Sequence, residues 1–263
     1  MPWWPTTAPT NTLDGASKSS KPAQGPHISA KPKQQHFEDP RNVVTVLLLT
    51  TACIGTYSFY RSYLQRIPQA YRIGDSFWRK RSVLGKVTRV GDGDNFHLFH
   101  TPGGRLTGWG WLPWRRVPNN AKNLKDKTIH IRLAGVDAPE TAHFGRPGQP
   151  FGKEALEWLN DYLLNRRVRA YVYKKDQYDR AVATVYIRKG LLRRDVGLQM
   201  LRSGFATVYE AKSGAEFGNL EEKYRKAEWW AKARRRGMWQ GRKQDYESPM
   251  EFKRRTAMQE KDR

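Results

Sequence analysis

The chain has 263 residues, room for one domain of about 150 residues with extensions. Its 48 Lys and Arg stand against 25 Asp and Glu, and the resulting net charge of +23 argues against a neutral metabolic enzyme and for polyanionic partners. One cysteine, Cys53, excludes an intramolecular disulfide framework and a multi-cysteine zinc site, and a mean hydropathy of −0.81 excludes a polytopic membrane protein but not a single span.

Residues 1–41 are rich in Pro, Ser, Thr, Lys and Gln and poor in large aliphatics, so they cannot bury enough apolar area to offset the entropy of ordering; the expectation is a disordered arm. Nearly all the positive charge lies beyond this arm. From Asn42 to Tyr60 the chain carries no charge over 19 residues, the length of a membrane-crossing helix, and it closes on Tyr57, Tyr60, Arg61 and Tyr63, an interfacial pattern. Thr45, Thr50, Thr51 and Gly55 weaken the apolar character, but no neighbouring segment offers a core in which to bury it. Residues 61–79 read as a basic linker. Arg61, Arg66, Arg72, Arg79 and Lys80 outnumber Lys31, Lys33 and Arg41 on the other flank, which places the C-terminal part on the cytoplasmic or matrix side.

Residues 80–241 read as one globular domain. Val83 to Val87 and Asn95 to Phe99 predict two strands joined by the turn Gly91-Asp92-Gly93-Asp94; Ile129 to Leu133, Val168 to Tyr173 and Ala181 to Ile187 predict three more. Ala155, Leu159, Tyr162 and Leu163 share one helical face. A second helix is expected from Arg193 to Arg202, and a third carries Leu220, Tyr224, Ala227 and Ala231 and runs to Gly237. Five strands with a helix after the third describe an α+β fold, a five-stranded OB-type β-barrel with about three helices, preceded by the arm and one transmembrane helix. An insertion over residues 101–127 holds Trp109, Trp111, Trp114, Arg115 and Arg116 and reads either as a self-packed loop or as a base-stacking or membrane-interface surface. Trp229, Trp230 and Lys232 to Arg236 read as one buried and one basic face of the closing helix, and residues 242–263 as a charged, solvated tail.

Chemistry concentrates in Asp92-Gly-Asp94, in Arg132-Leu-Ala-Gly-Val-Asp137-Ala-Pro-Glu140, and in Asp176-Gln-Tyr-Asp-Arg180. Each is ordinary alone. Together they bring acids and guanidinium groups to one strand end, where Asp94, Asp137 and Glu140 crowd too closely to stay ionised without a cation. All-oxygen donors without His or Cys indicate Ca²⁺, with Mg²⁺ the weaker choice. An EF-hand does not account for them, since Phe96 and Gly103 fall at the fifth and twelfth positions from Asp92.

This ordered set resembles the staphylococcal-nuclease-like (thermonuclease) family, and in particular its fungal membrane-anchored members; the likeness covers about residues 80–241. The resemblance implies that Asp94, Asp137 and the backbone carbonyl of Ala138 ligate Ca²⁺, that Asp92 supports them, and that Glu140 orients or deprotonates the attacking water. It further implies that Arg132 and Arg180 grip the phosphate, that Tyr178 contacts the nucleotide, and that the membrane is mitochondrial. Asn95 and Asp179 depart from the family pattern, and Asp179 puts a negative charge beside Arg180. The implied activity is calcium-dependent endonucleolytic hydrolysis of DNA and RNA, read through the backbone with little sequence preference. The alternative is a non-catalytic OB-type module that tethers nucleic acid to a membrane.

Overall fold

A computed structural model describes residues 40–142, 147–210, 215–241 and 246–261. The arm expected over residues 1–41 falls almost wholly outside them. Helix α1 (Pro40–Phe59) runs into a π-type turn at Tyr60–Leu64, and this stretch is long and apolar enough to cross a membrane. Three of its threonines, Thr45, Thr50 and Thr51, each donate to the carbonyl four residues earlier at 2.7–2.8 Å. That back-bonding removes much of the cost of a hydroxyl in hydrocarbon.

The expected linker is packed rather than free. Ile67, Ala70 and Ile73 are buried in the main core, and the Ile67 N–H donates to Nδ1 of His100 at 2.9 Å. Beyond it lie β1 (Ser82–Asp92), β2 (Asn95–His100), a short helix α2 (Ala121–Leu124), β3 (Ile129–Leu133) and β4 (Val136–Asp137). They are followed by α3 (Gly152–Leu163), β5 (Arg167–Lys175), β6 (Ala181–Lys189), β7 (Leu192–Asp195) and α4 (Val196–Ser203). Strand β8 (Thr207–Val208) and helices α5 (Glu221–Ala233) and α6 (Pro249–Lys261) complete the order.

The principal sheet has the order β3-β2-β1-β5-β6-β7, and a parallel β3–β6 pairing of three residue pairs makes the contacts of the first five run round in a ring, the expected OB-type arrangement. Alternation explains the interior: Val83 and Val87 from β1, Ile129, Ile131 and Leu133 from β3, and Val168, Ala170 and Val172 from β5 all point inward. Helix α3 closes the core with Ala155, Leu159 and Leu163, as its spacing predicts.

Several boundaries differ from expectation. Arg193 and Arg194 belong to hairpin strand β7, not to a helix, because Asp195 caps α4 by accepting the Leu198 N–H at 3.1 Å and so sets its start at Val196. Helix α5 stops at Ala233 rather than reaching Gly237. Its buried stripe is Tyr224, Ala227 and Ala231, while Trp229 and Trp230 are exposed, so the tryptophan pair does not form the buried face. The tail expected to be solvated forms α6, whose Phe252 is buried.

Candidate active site

The β1–β2 turn places Asp92 and Asp94 at one end of the barrel. Asp92 accepts from the Gly93 N–H at 2.8 Å and from the Thr141 hydroxyl at 3.0 Å. Gly93 is required by close approach: a Cβ there would stand 2.6 Å from that of Ala138, so only glycine lets the hairpin lie against the Asp137–Glu140 segment. Asp94 is almost buried and accepts from Asn95 Nδ2 at 3.1 Å. Oδ1 of Asn95 lies 3.0 Å from Nε2 of His130, and with the amide nitrogen committed to Asp94 the imidazole supplies the proton of that bond. Burial, then the neighbouring His97 and Arg180, push His130 down to about 4, so it is neutral near pH 7. Asn95, a departure from the family pattern, thus fixes the orientation of Asp94.

Strand β3 delivers Arg132. Its Nε donates to Asp94 Oδ2 at 2.9 Å and its Nη2 to Asp137 Oδ1 at 3.2 Å, and the guanidinium lies over the Tyr209 ring at 4.8 Å. Burial opposes its charge, but the two carboxylates more than compensate, and its pKa rises further above the range in which arginine titrates. Asp137 sits in β4, which pairs with β8, and its carbonyl accepts from the Thr207 hydroxyl at 3.2 Å. Burial, the largest influence, raises its carboxyl; Lys253 and Arg132 oppose the rise and Asp94 adds to it. The buried Ala138 follows directly.

Two residues outside the sequence reading complete this cluster. Gln149 holds the backbone of Glu140 on both sides, donating its N–H to the Glu140 carbonyl at 2.8 Å and accepting the Glu140 N–H on Oε1 at 3.3 Å. Its Nε2 donates to the Glu247 carbonyl at 2.6 Å, just before α6. From α6, the Lys253 ammonium reaches Asp137 Oδ1 at 3.1 Å and Glu140 Oε1 at 2.8 Å. Among the described residues, no three His, Cys, Asp or Glu side chains converge tightly enough to form a metal cage on their own. The acids are instead bridged by Arg132 and Lys253. No motif marks Lys253 in the sequence, and only the return of the chain across the barrel brings it here.

Arg180 lies on the β5–β6 turn. Its Nε donates to Asp176 Oδ2 at 2.6 Å, and its guanidinium lies 5.1 Å from the Tyr178 ring. Burial pushes the Asp176 carboxyl up, but hydrogen bonds from the Arg180 backbone and side chain and from the Tyr178 N–H outweigh it and hold it low. Asp179, the second departure, has φ 57° and pairs with Lys175 Nζ at 2.8 Å, so its charge is taken up by lysine. Arg132, Arg180, Tyr178 and Tyr209 line one cleft of about 350 Å³. The fold therefore brings Asp94, Arg132, Asp137 and Glu140 into one connected cluster, and Arg132 alone of the four also lines the cleft that Arg180 and Tyr178 share. Asp92, on the same hairpin, reaches the cluster through the Thr141 hydroxyl beside Glu140.

A family model described as staphylococcal nuclease homologue matches residues 130–241. Over 254 residues the chain is 58% identical to a probable endonuclease lcl3 of Botryotinia fuckeliana, covering 93% of this chain and 96% of that protein. The chain belongs to the staphylococcal nuclease homologue family. The like-named proteins of Sclerotinia sclerotiorum and Aspergillus niger are 62% identical over 223 residues (85% of this chain, 84% of that protein) and 59% identical over 235 residues (85% and 86%). Within this nuclease-family chain the matched stretch contains Arg132, Asp137, Glu140 and Arg180. Asp92 and Asp94 precede it, on the hairpin that completes the same barrel.

Proposed function

We propose that the chain is a membrane-anchored, calcium-dependent endonuclease that hydrolyses phosphodiester bonds of DNA and RNA with little sequence preference. One observation carries the reading: Arg132 ties Asp94 to Asp137 and, with Arg180, lines a single cleft. Two planar guanidinium forks facing one cleft suit a phosphodiester that gains charge on its non-bridging oxygens as water adds, and they stabilise the transition state more than the ground state. Asp94, Asp137 and the Ala138 carbonyl supply hard oxygen donors that fit Ca²⁺, with water completing the shell. The ammonium of Lys253, seated between Asp137 and Glu140, stands where a cation is favoured. Bound there, Ca²⁺ would polarise the phosphate and neutralise developing charge.

Glu140 is the base. Gln149 fixes its backbone, and its carboxylate, about a quarter exposed, is open to water and can hold the proton removed from it. Arg132 and Arg180 bind the phosphate, and Tyr178, two-thirds exposed at the rim, offers a stacking face. A second groove of about 450 Å³ along α4 and α5, lined by Arg202, Lys223, Lys226 and Arg234, adds backbone affinity without base readout. The apolar helix is the anchor, and the excess of basic residues after it puts the domain on the matrix or cytoplasmic side, a mitochondrial membrane being the reading taken from the family resemblance.

The test is cleavage of single-stranded DNA and RNA by the detergent-solubilised full chain with calcium, with magnesium and with chelator, beside Glu140→Gln and Arg132→Ala. Calcium-dependent cleavage reduced on the order of 10²-fold or more in both variants is expected. Salt-sensitive binding without cleavage in any metal would refute the enzyme reading and leave a tethering module.

A further inference from the structure

Strand β2 leaves the Asp92–Asp94 turn at Asn95 and enters the insertion after His100, so it spans roughly 17 Å between the turn that carries the acids and the start of the insertion.

The insertion is unusually apolar for a wetted surface: Leu106, Trp111 and Trp114 are 96%, 59% and 77% exposed. The insertion is not loose: Trp109 packs edge-on against Phe99, the Arg167 guanidinium donates to the Trp109 carbonyl, and the Trp111 indole donates to the Arg105 carbonyl at 2.8 Å. Its anchoring tryptophan is inward and its other two are held outward. Exposed Arg105 and Arg116 lie next to these side chains in the chain. The segment that follows the apolar helix is fixed beside the insertion, with Arg66 over the Phe99 ring at 4.2 Å and Ile67 bonded to His100.

We propose that the insertion is a bilayer-docking face, seating Leu106, Trp111 and Trp114 among lipid headgroups with Arg105 and Arg116 on anionic phosphates. The inference rests on the reading of α1 as a span. Tryptophan with arginine is the composition of a membrane interface, and a face beside the point where the chain leaves the bilayer is held at high local lipid concentration.

The test reconstitutes the full chain in vesicles of equimolar phosphatidylcholine and phosphatidylglycerol, with and without chain-brominated lipid, and reads tryptophan quenching. The quenched emission is expected to disappear in Trp111→Ser/Trp114→Ser and to weaken in Leu106→Ser, which keeps both indoles. Equal quenching in all three proteins, or shielding of these indoles by single-stranded DNA rather than lipid, overturns the proposal. Alkaline-carbonate extraction reports separately on the span: an extractable but quenched protein refutes the anchor and upholds the face, and a resistant but unquenched one does the reverse.

The seat of Lys253 independently carries a second inference, which rests on the calcium reading of the acids. Its ammonium contacts both Asp137 and Glu140, while buried Phe252 and the Gln149–Glu247 bond pin α6 in place. We infer that α6 and a divalent cation compete for these carboxylates, so that the helix closes the site when calcium is scarce. Coupling of this kind is reciprocal. Titration calorimetry on the full chain is expected to show calcium binding at least about fivefold tighter in Lys253→Met, and calcium is expected to lower amide-exchange protection over residues 249–261 of the unmodified chain. Equal, measurable affinity in both proteins, or exchange in α6 indifferent to calcium, overturns the competition alone. Absence of binding in both overturns the calcium reading with it.

Discussion

Replacing Arg132 separates its two roles. In Arg132→Ala, Asp94 and Asp137, whose side chains are 11% and 6% exposed, each lose a charge-assisted bond, and only Lys253 remains beside Asp137. Bonds to charged groups are worth about 1.5–3 kcal/mol each, and with water reaching the half-open site the expected loss of stability is about 2–4 kcal/mol. Arg132→Lys keeps the charge but cannot span both carboxylates, because an ammonium is a compact point donor where the guanidinium is a fork. It should cost only about 1–2 kcal/mol of stability while lowering kcat on the order of 10²-fold, equivalent to about 2.7 kcal/mol of barrier. Urea denaturation and single-turnover cleavage of single-stranded DNA at saturating calcium measure the two separately. Cleavage by Arg132→Lys within about threefold of the unmodified chain would show that the fork geometry does not act on the phosphate.

Three further outcomes follow from the same structure. His100 is pushed down to about 4 by burial, then by Arg66 and Arg81, so the folded state binds fewer protons than the unfolded chain; stability present at neutral pH is lost as pH falls through about 6.5 toward 4, by up to about 3 kcal/mol. Urea midpoints at neutral and acidic pH should show that slope flattened in His100→Asn, and an unchanged slope would rule this histidine out as its source. Asp195→Ala removes the α4 cap and strands the buried Tyr224 hydroxyl, which donates to that carboxylate at 3.0 Å, for a combined loss of about 2–4 kcal/mol with kcat of the folded enzyme unaltered. Thermal melting checks it, and a loss below about 1 kcal/mol would mean that another group satisfies Tyr224. Asp179→Gly should leave cleavage within about twofold, since Lys175 already pairs with that exposed charge; a rise of tenfold or more would show that the carboxylate acts on Arg180.

Much of this protein is written in local pattern. Alternation marks the five barrel strands, the four-residue spacing of Ala155, Leu159 and Leu163 marks α3, and an uncharged run marks α1, because side-chain period and length report burial without reference to distant chain. The acids and arginines were legible for a related reason: most lie within a few residues of one another at strand ends and turns. What stayed hidden depends on contacts far apart in sequence. The role of Asn95 needs His130 from the neighbouring strand, that of Gln149 needs Glu140 folded back upon it, and the linker is ordered only because His100 and the barrel core receive Ile67. Lys253 is the extreme case, 116 residues from its partner Asp137 in a tail whose composition reads as solvated. Composition decides which side chains are charged; only the closed path of the backbone decides which charges meet, because electrostatic pairing acts through space and a linear pattern records distance along the chain alone.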